Sequence, residues 1–172
     1  AAGVDRCFAD IEIWGLQAGE YVQIATITDI PRDNGGFGGC EPPARVGVPL
    51  RPRVKRNTYT TTYTLPGPGI FQLRYFDIAR VNDVINMANS GATAFYVETV
   101  LNNNPFIGAN NSPQLLNDPI DDACTNFVWS HNPGAYDPDG DSLSFELIPN
   151  QQYEPPNFPV PVDVAQYQLP NQ

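Results

Sequence analysis

Residues Tyr21–Ile30 read YVQIATITDI, and their alternation decides the class of the fold. Val22, Ile24, Thr26 and Thr28 fall on one side of the segment, and Tyr21, Gln23, Ala25 and Ile27 on the other. A period of two among β-branched and aromatic residues is the pattern of a β-strand. Working outward, Cys7–Trp14, CFADIEIW, sets Phe8, Ile11 and Ile13 among Asp10 and Glu12 and reads as a strand before it. Pro31–Pro43 contains NGGFGG and EPP, which no regular element accommodates, so it reads as a long hairpin or loop. Arg51–Leu65 starts basic and becomes a Tyr/Thr-rich strand, ended by the turn Pro66-Gly67-Pro68-Gly69. Ile70–Ile78, IFQLRYFDI, directs Phe71, Leu73 and Tyr75 one way; Ala94–Leu101, AFYVETVL, closes the set. Between them Asn82–Gly91 has room for a single helical turn around Val84 and Ile85. Strands separated by turn signals, with no amphipathic helix between them, predict an all-β chain folded as an antiparallel β-sandwich.

Composition agrees. The 172 residues include 14 glycines and 18 prolines, high for a helical protein, and 41% apolar content is enough for a packed core. No apolar run approaches the roughly 18 residues a membrane-spanning helix needs, so membrane insertion is not expected. The formal charge is −10, and it is unevenly placed. All nine basic residues lie between Arg6 and Arg80, whereas eleven Asp or Glu and no Lys or Arg follow Val81. Nucleic acid is excluded as a partner on this ground, because counterion release needs clustered cations. An acidic half without internal cations repels itself unless water or bound cations intervene, which directs attention to divalent metal.

Cys7, Cys40 and Cys124 stand in no metal-binding spacing. A Cys7–Cys40 disulfide would pin the Gly-rich loop to the first strand, although spacing does not fix the pairing. An odd cysteine count, one Lys, one Met and many Asn and Thr suit a secreted chain, and the Ala-Ala start suits a cleaved leader. After Asn102 the texture turns Asn- and Pro-rich, NNNPFIGANNSPQLLNDPIDDAC, and reads as a connector. The expected division is therefore a β-sandwich over 1–109 and a second module over 110–172. That module offers two short strands, Asn126–Ser130 and Ser142–Ile148, too little to bury a core, which predicts that it is cut short.

The sharpest motif is Asp137-Pro138-Asp139-Gly140-Asp141. Three carboxylates at alternate positions on a tight turn present oxygens to a hard cation that takes about six to eight of them. It is not an EF-hand, because the twelfth position is Ile148 and not Glu. A plain turn, for which Asp-Gly is itself a strong signal, explains the same residues.

The pieces YTTTYTLPG, IFQLRYFDIAR, FYVETVLNN, NNSPQLLNDPI and NPGAYDPDGDSLSFEL, over roughly Tyr59–Pro149, resemble the cadherin-like and Ig-like repeats of bacterial surface proteins. More closely, they resemble Bacteroidota surface proteins that carry a gliding-motility-associated C-terminal domain and leave by type IX secretion. The chain departs from that pattern in having fewer cysteines. The resemblance implies an Ig/cadherin-like sandwich followed by a partial second Ig/cadherin-like module. It also implies calcium at the junction, held by Asn111 from the linker with Asp137, Asp139 and Asp141, and by Glu98 from the module before. It implies further a non-enzymatic, extracellular, cell-surface structural or adhesive module. Its partners would be neighbouring domains or subunits, and glycans.

Asp141-Ser142-Leu143 matches a short O-glycosylation pattern at Ser142, and Asn110-Asn111-Ser112 is formally an N-glycosylation triplet. The run Arg45, Arg51, Arg53, Lys55, Arg56 reads as a charge-protected edge strand or, failing that, as a patch for acidic glycans or a neighbouring acidic subunit. His131, the sole histidine, has no nucleophile motif around it, so an enzyme is not expected. A carbohydrate-binding module is the alternative, and would show an exposed aromatic row drawn from Trp14, Trp129, Tyr59 and Tyr63.

Overall fold

The computed structural model describes residues 6–33, 48–51, 54–78, 80, 82, 87, 89–106, 108, 110–118, 124, 126–128, 130–146, 148–153 and 160–161. The chain is all-β as expected, built on a four-stranded sheet, and no α-helix occurs among the described residues. The principal strands are β1 (Phe8–Gln17) and β2 (Glu20–Pro31). A short ladder follows, β3 (Val48–Arg51) with β4 (Val54–Arg56), and then β5 (Gly69–Asp77) and β6 (Phe95–Asn103). The large sheet runs β2-β1-β5-β6, with β1 antiparallel to both neighbours, an arrangement consistent with a β-sandwich.

β1 and β2 are joined by Ala18 and Gly19, both in the left-handed region (φ 51° and 91°). Two successive positive φ values are what a two-residue hairpin turn needs to match the twist of its strands. The β1–β2 register slips between Ala9 and Ile11, where Asp29 takes φ 57° and donates its backbone N–H to Asp10 Oδ1 at 2.8 Å. A bulge there explains why the clean alternation of YVQIATITDI does not continue to its end.

One face of the sheet is the apolar core. Ile13 is 1% exposed, Phe71 is buried, and Tyr75 meets Phe95 edge-on with ring centroids 6.3 Å apart. At Gly15 a Cβ would come within 3.5 Å of Ile24 and 3.7 Å of Phe71, so its lack of a side chain leaves ordinary packing room for both.

Three expected elements differ. Residues 57–65 of the expected Arg51–Leu65 strand are not strand; Tyr59 makes an isolated bridge to Arg32, and its hydroxyl donates to the Arg6 carbonyl at 2.6 Å. The pull of these side-on contacts outweighs the β propensity of TYTTTYT, whose residues 60–64 are exposed and have no apolar face to bury. Within the expected Asn126–Ser130 strand, residues 126–128 turn instead of extending, with Asn126 at φ 64°, and 141–146 carry no ladder. Val84 and Ile85, the centre of the expected helical turn, lie outside the described residues; a 3-10 turn occupies Ser90–Ala92.

Contacts divide the chain into two units, one of residues 1–102 together with 149–172, the other Asn103–Ile148. This is not the expected division at residue 110, because the segment after Ile148 returns to the first unit. Its anchors are specific. Arg80 Nη2 donates to the Gln151 carbonyl at 2.8 Å, and the Tyr153 ring lies parallel on Phe76 with centroids 3.8 Å apart. There β9 (Gln151–Gln152) pairs with β10 (Val160–Pro161). Among the described residues of the second unit the one ladder is that of β7 (Gln114–Leu115) with β8 (Ala135–Tyr136).

Candidate functional site

Two groups of polar residues stand out, one in each unit. In the second unit, Asp137 is buried, and its Oδ1 accepts backbone N–H bonds from Asp139 at 2.8 Å and Asp141 at 3.3 Å. Its carbonyl accepts a third, from Gly140 at 3.2 Å. Gly140 sits at φ 82°, a conformation that side chains resist, which is why glycine closes this turn. Asp139 is exposed and reaches the linker: both its oxygens accept from Asn111, from the backbone N–H at 2.5 Å and from Nδ2 at 2.9 Å. These two bonds hold the Asp139 carboxyl below its ordinary value.

Of the residues that the resemblance pointed to, Asn111 is hydrogen-bonded to Asp139, and Asp137 and Asp141 lie on the same turn as Asp139. Glu98 belongs to the other unit, where its Oε2 accepts from Gln72 Nε2 and the Tyr96 hydroxyl. The donor set of the turn, carboxylate and amide oxygens, suits a hard cation in kind. As arranged, however, both Asp139 oxygens and Asp137 Oδ1 already carry N–H donors. Among the described residues no three His, Cys, Asp or Glu side chains gather where they could hold a metal ion. Ser142 follows the turn and is exposed.

The second group lies on the face of the large sheet opposite Ile13. The cross-strand pairs Glu12–Arg74 and Trp14–Gln72 put four of its members in register, and Tyr96 and Glu98 extend it onto β6. Arg74 donates through Nε to Gln72 Oε1 at 2.7 Å, and again through Nη2. Its guanidinium carbon lies 4.1 Å from the Trp14 ring centroid and 5.8 Å from that of Tyr21, cation–π geometry on two rings. Trp14 Nε1 donates to Glu12 Oε2 at 2.9 Å, and the Tyr153 hydroxyl donates to Glu12 Oε1 at 3.2 Å. Burial, with Glu98 beside it, drives the Tyr96 phenol far up; burial, then the Glu12 charge, pushes that of Tyr153 up to about 12.

Sequence reading placed Glu98 in the calcium set and Trp14 in an aromatic row, and did not join the members of this face to one another. A signal existed: Glu12, Trp14, Gln72, Arg74, Tyr96 and Glu98 occupy same-side positions of three strands whose other side is apolar, so a polar stripe was written into the alternation. Trp14 is half-buried against Arg74, Tyr59 is half-buried, and Tyr63 is exposed, while Trp129 lies outside the described residues. They form no exposed row.

Cys7 is engaged in a disulfide and Cys124 is a free, exposed thiol; Cys40, the expected partner of Cys7, lies outside the described residues. Of the basic run, Arg51 lies on β3 and Lys55 and Arg56 on β4, with Arg56 exposed; Arg45 and Arg53 lie outside. His131 sits half-buried in the second unit. No helix among the described residues is long and apolar enough to cross a membrane. No protein-family model, curated protein or solved structure matches the chain.

Proposed function

We propose that the chain is a non-enzymatic, extracellular structural or adhesive module of a bacterial surface protein. The observation that carries this reading is the clasp between Asn111 and Asp139, which ties a connector to the Asp-rich turn that follows it. The acidic, Asn-rich composition and the disulfide at Cys7 support an extracellular setting. So does the resemblance to the surface repeats of Bacteroidota.

Calcium belongs to this reading as the ion that Asp137, Asp139 and Asp141 would hold, together with the side-chain oxygen of Asn111. Bound there, it would neutralise carboxylates that otherwise repel. It competes with the N–H donors that now occupy these oxygens. The test is thermal unfolding after chelator treatment, with and without millimolar calcium, on the wild type and on Asp137→Ala/Asp139→Ala. An ion that binds the native state raises the midpoint, by about 2.7 kcal/mol of added stability at a hundredfold excess over Kd. A rise in the wild type that vanishes in the variant supports calcium stiffening. No shift in either protein removes the metal and leaves a clasp made of protein alone.

A further inference from the structure

The polar face of the large sheet carries a function of its own. Gln72 and Arg74 are 5% and 3% exposed, and Glu12 and Tyr96 are also buried. Charged and amide groups at such depth are costly to desolvate, and an apolar face of equal volume would hold the sheet at least as well. Most of the network is closed on itself: Arg74 on Gln72 and Trp14, Gln72 and Tyr96 on Glu98, Trp14 on Glu12. Two positions are instead filled from the returning segment. The free face of Phe76 takes the Tyr153 ring, tilted by 1° at 3.8 Å, and Glu12 Oε1 takes the Tyr153 hydroxyl.

Tyr153 is thus a flat ring with a hydroxyl donor at its edge, seated on an aromatic platform beside a carboxylate. A pyranose has the same two features, a flat C–H face and hydroxyl donors around it. Lifting Tyr153 would present the Phe76 face and Glu12 Oε1 together, with the Arg74–Trp14 pair on the same face of the sheet: a platform with a few oriented polar groups, the composition of a small-ligand site. We propose that this face is a saccharide-binding site, covered in the present structure by a strap, Pro149–Tyr153, that Tyr153 latches. The strap re-enters the first unit only after the whole of Asn103–Ile148, so its docking closes a long loop and is correspondingly easy to release.

The inference rests on the adhesive half of the reading above and names its ligand class. Under it the wild type binds weakly, because its apparent affinity is multiplied by the small fraction of molecules with the strap open. The test is an array of immobilised neutral and acidic oligosaccharides, probed with wild type, Tyr153→Ala, and Tyr153→Ala combined with Glu12→Gln or with Phe76→Ala. Circular dichroism verifies the fold of each. Retention of Tyr153→Ala on at least one glycan, about tenfold or more above wild type, is expected, with loss on adding either second substitution. Should Phe76→Ala unfold the sheet, Glu12→Gln decides alone, since it keeps the size of the side chain while removing the charge and one of the two acceptor oxygens.

A blank array for Tyr153→Ala overturns the proposal, as does equal retention of wild type and Tyr153→Ala. Concentration-dependent dimerisation of the wild type beside a blank array also overturns it, and assigns the face to Tyr153 of a second copy. A blank array together with the calcium shift sinks the saccharide site while leaving the surface-module reading standing. Retention without a calcium shift does the reverse for the metal.

Discussion

Arg74 and Asp139 are both charged groups held by hydrogen bonds, yet the units around them are built on different principles. Around Arg74 a four-stranded sheet buries Ile13, Phe71 and Tyr96, and the polar network adds to a core that already exists. Around Asp139 there is no such core. Among the described residues of Asn103–Ile148 the only buried side chain is that of Asp137, while Phe106, Leu115, Leu116, Phe127, Val128 and Phe145 are exposed. The second unit is held by side chains standing in for a ladder. Asn117 Nδ2 donates to the Asn132 carbonyl at 2.8 Å, Asn132 Oδ1 accepts from the Gly134 N–H at 2.9 Å, and Asp137 gathers its own turn. Hydrophobic burial resists solvent collectively, whereas isolated hydrogen bonds contribute about 1 kcal/mol each and open one at a time.

Truncating the core should therefore have the largest effect. Ile13→Ala is expected to lower the stability of the first unit by roughly 2–5 kcal/mol, read as a shift in the urea midpoint of the far-ultraviolet signal. Should the loss stay below about 1 kcal/mol, the sheet would not be the cooperative element the comparison makes it. A smaller and local effect is expected of Asp137→Ala, which strips an acceptor from two turn amides at about 1–3 kcal/mol. Amide exchange should accelerate at Asp139 and Asp141 and stay unchanged along β1. Acceleration spreading into β1 would mean that the two units unfold as one.

The smallest effects sharpen the contrast through pH. Asp139 has a lowered folded pKa, so its contribution is complete above the ordinary value of 3.8 and is lost as pH falls through the lower folded value. Tyr153 is raised from 10.0 to about 12, so its contribution is complete below pH 10 and is lost as pH rises toward 12. Acid should loosen the clasp in the second unit, seen as a shift of the Asn111 amide resonance absent in Asp139→Asn. Alkali should loosen the strap on the first, seen as phenolate absorbance appearing together with loss of the Phe76 contact. Both transitions at one end of the scale would contradict the assignment of the two groups.

What could be read in the residues follows the same line. YVQIATITDI, IFQLRYFDI and AFYVETVL each became a strand of the large sheet, as their alternation predicts, although only Ile30 is buried in the first and only Tyr96 in the third. SLSFELI alternates as well, but no sheet offers it a partner, and its Leu143 and Phe145 remain exposed. A pattern states which face a strand would bury; it does not supply the layer to bury it against. Asn111 and Asp139 were named together only through the resemblance to cadherin-like repeats, as ligands of calcium; their direct hydrogen bonds were not expected. The return of Tyr153 to Phe76 joins residues far apart in sequence through one ring stack, and nothing periodic announces it.

That return also fixes how the molecule would respond to cutting. The chain leaves the large sheet at β6 and comes back to it at Tyr153, so the second unit is tied to the same sheet at both ends. A protease that severs a single peptide bond within Asn103–Ile148 would turn the docking of the strap on Arg80, Phe76 and Glu12 from a loop closure within one chain into an association of two pieces, and the later piece would be lost whenever the strap opens.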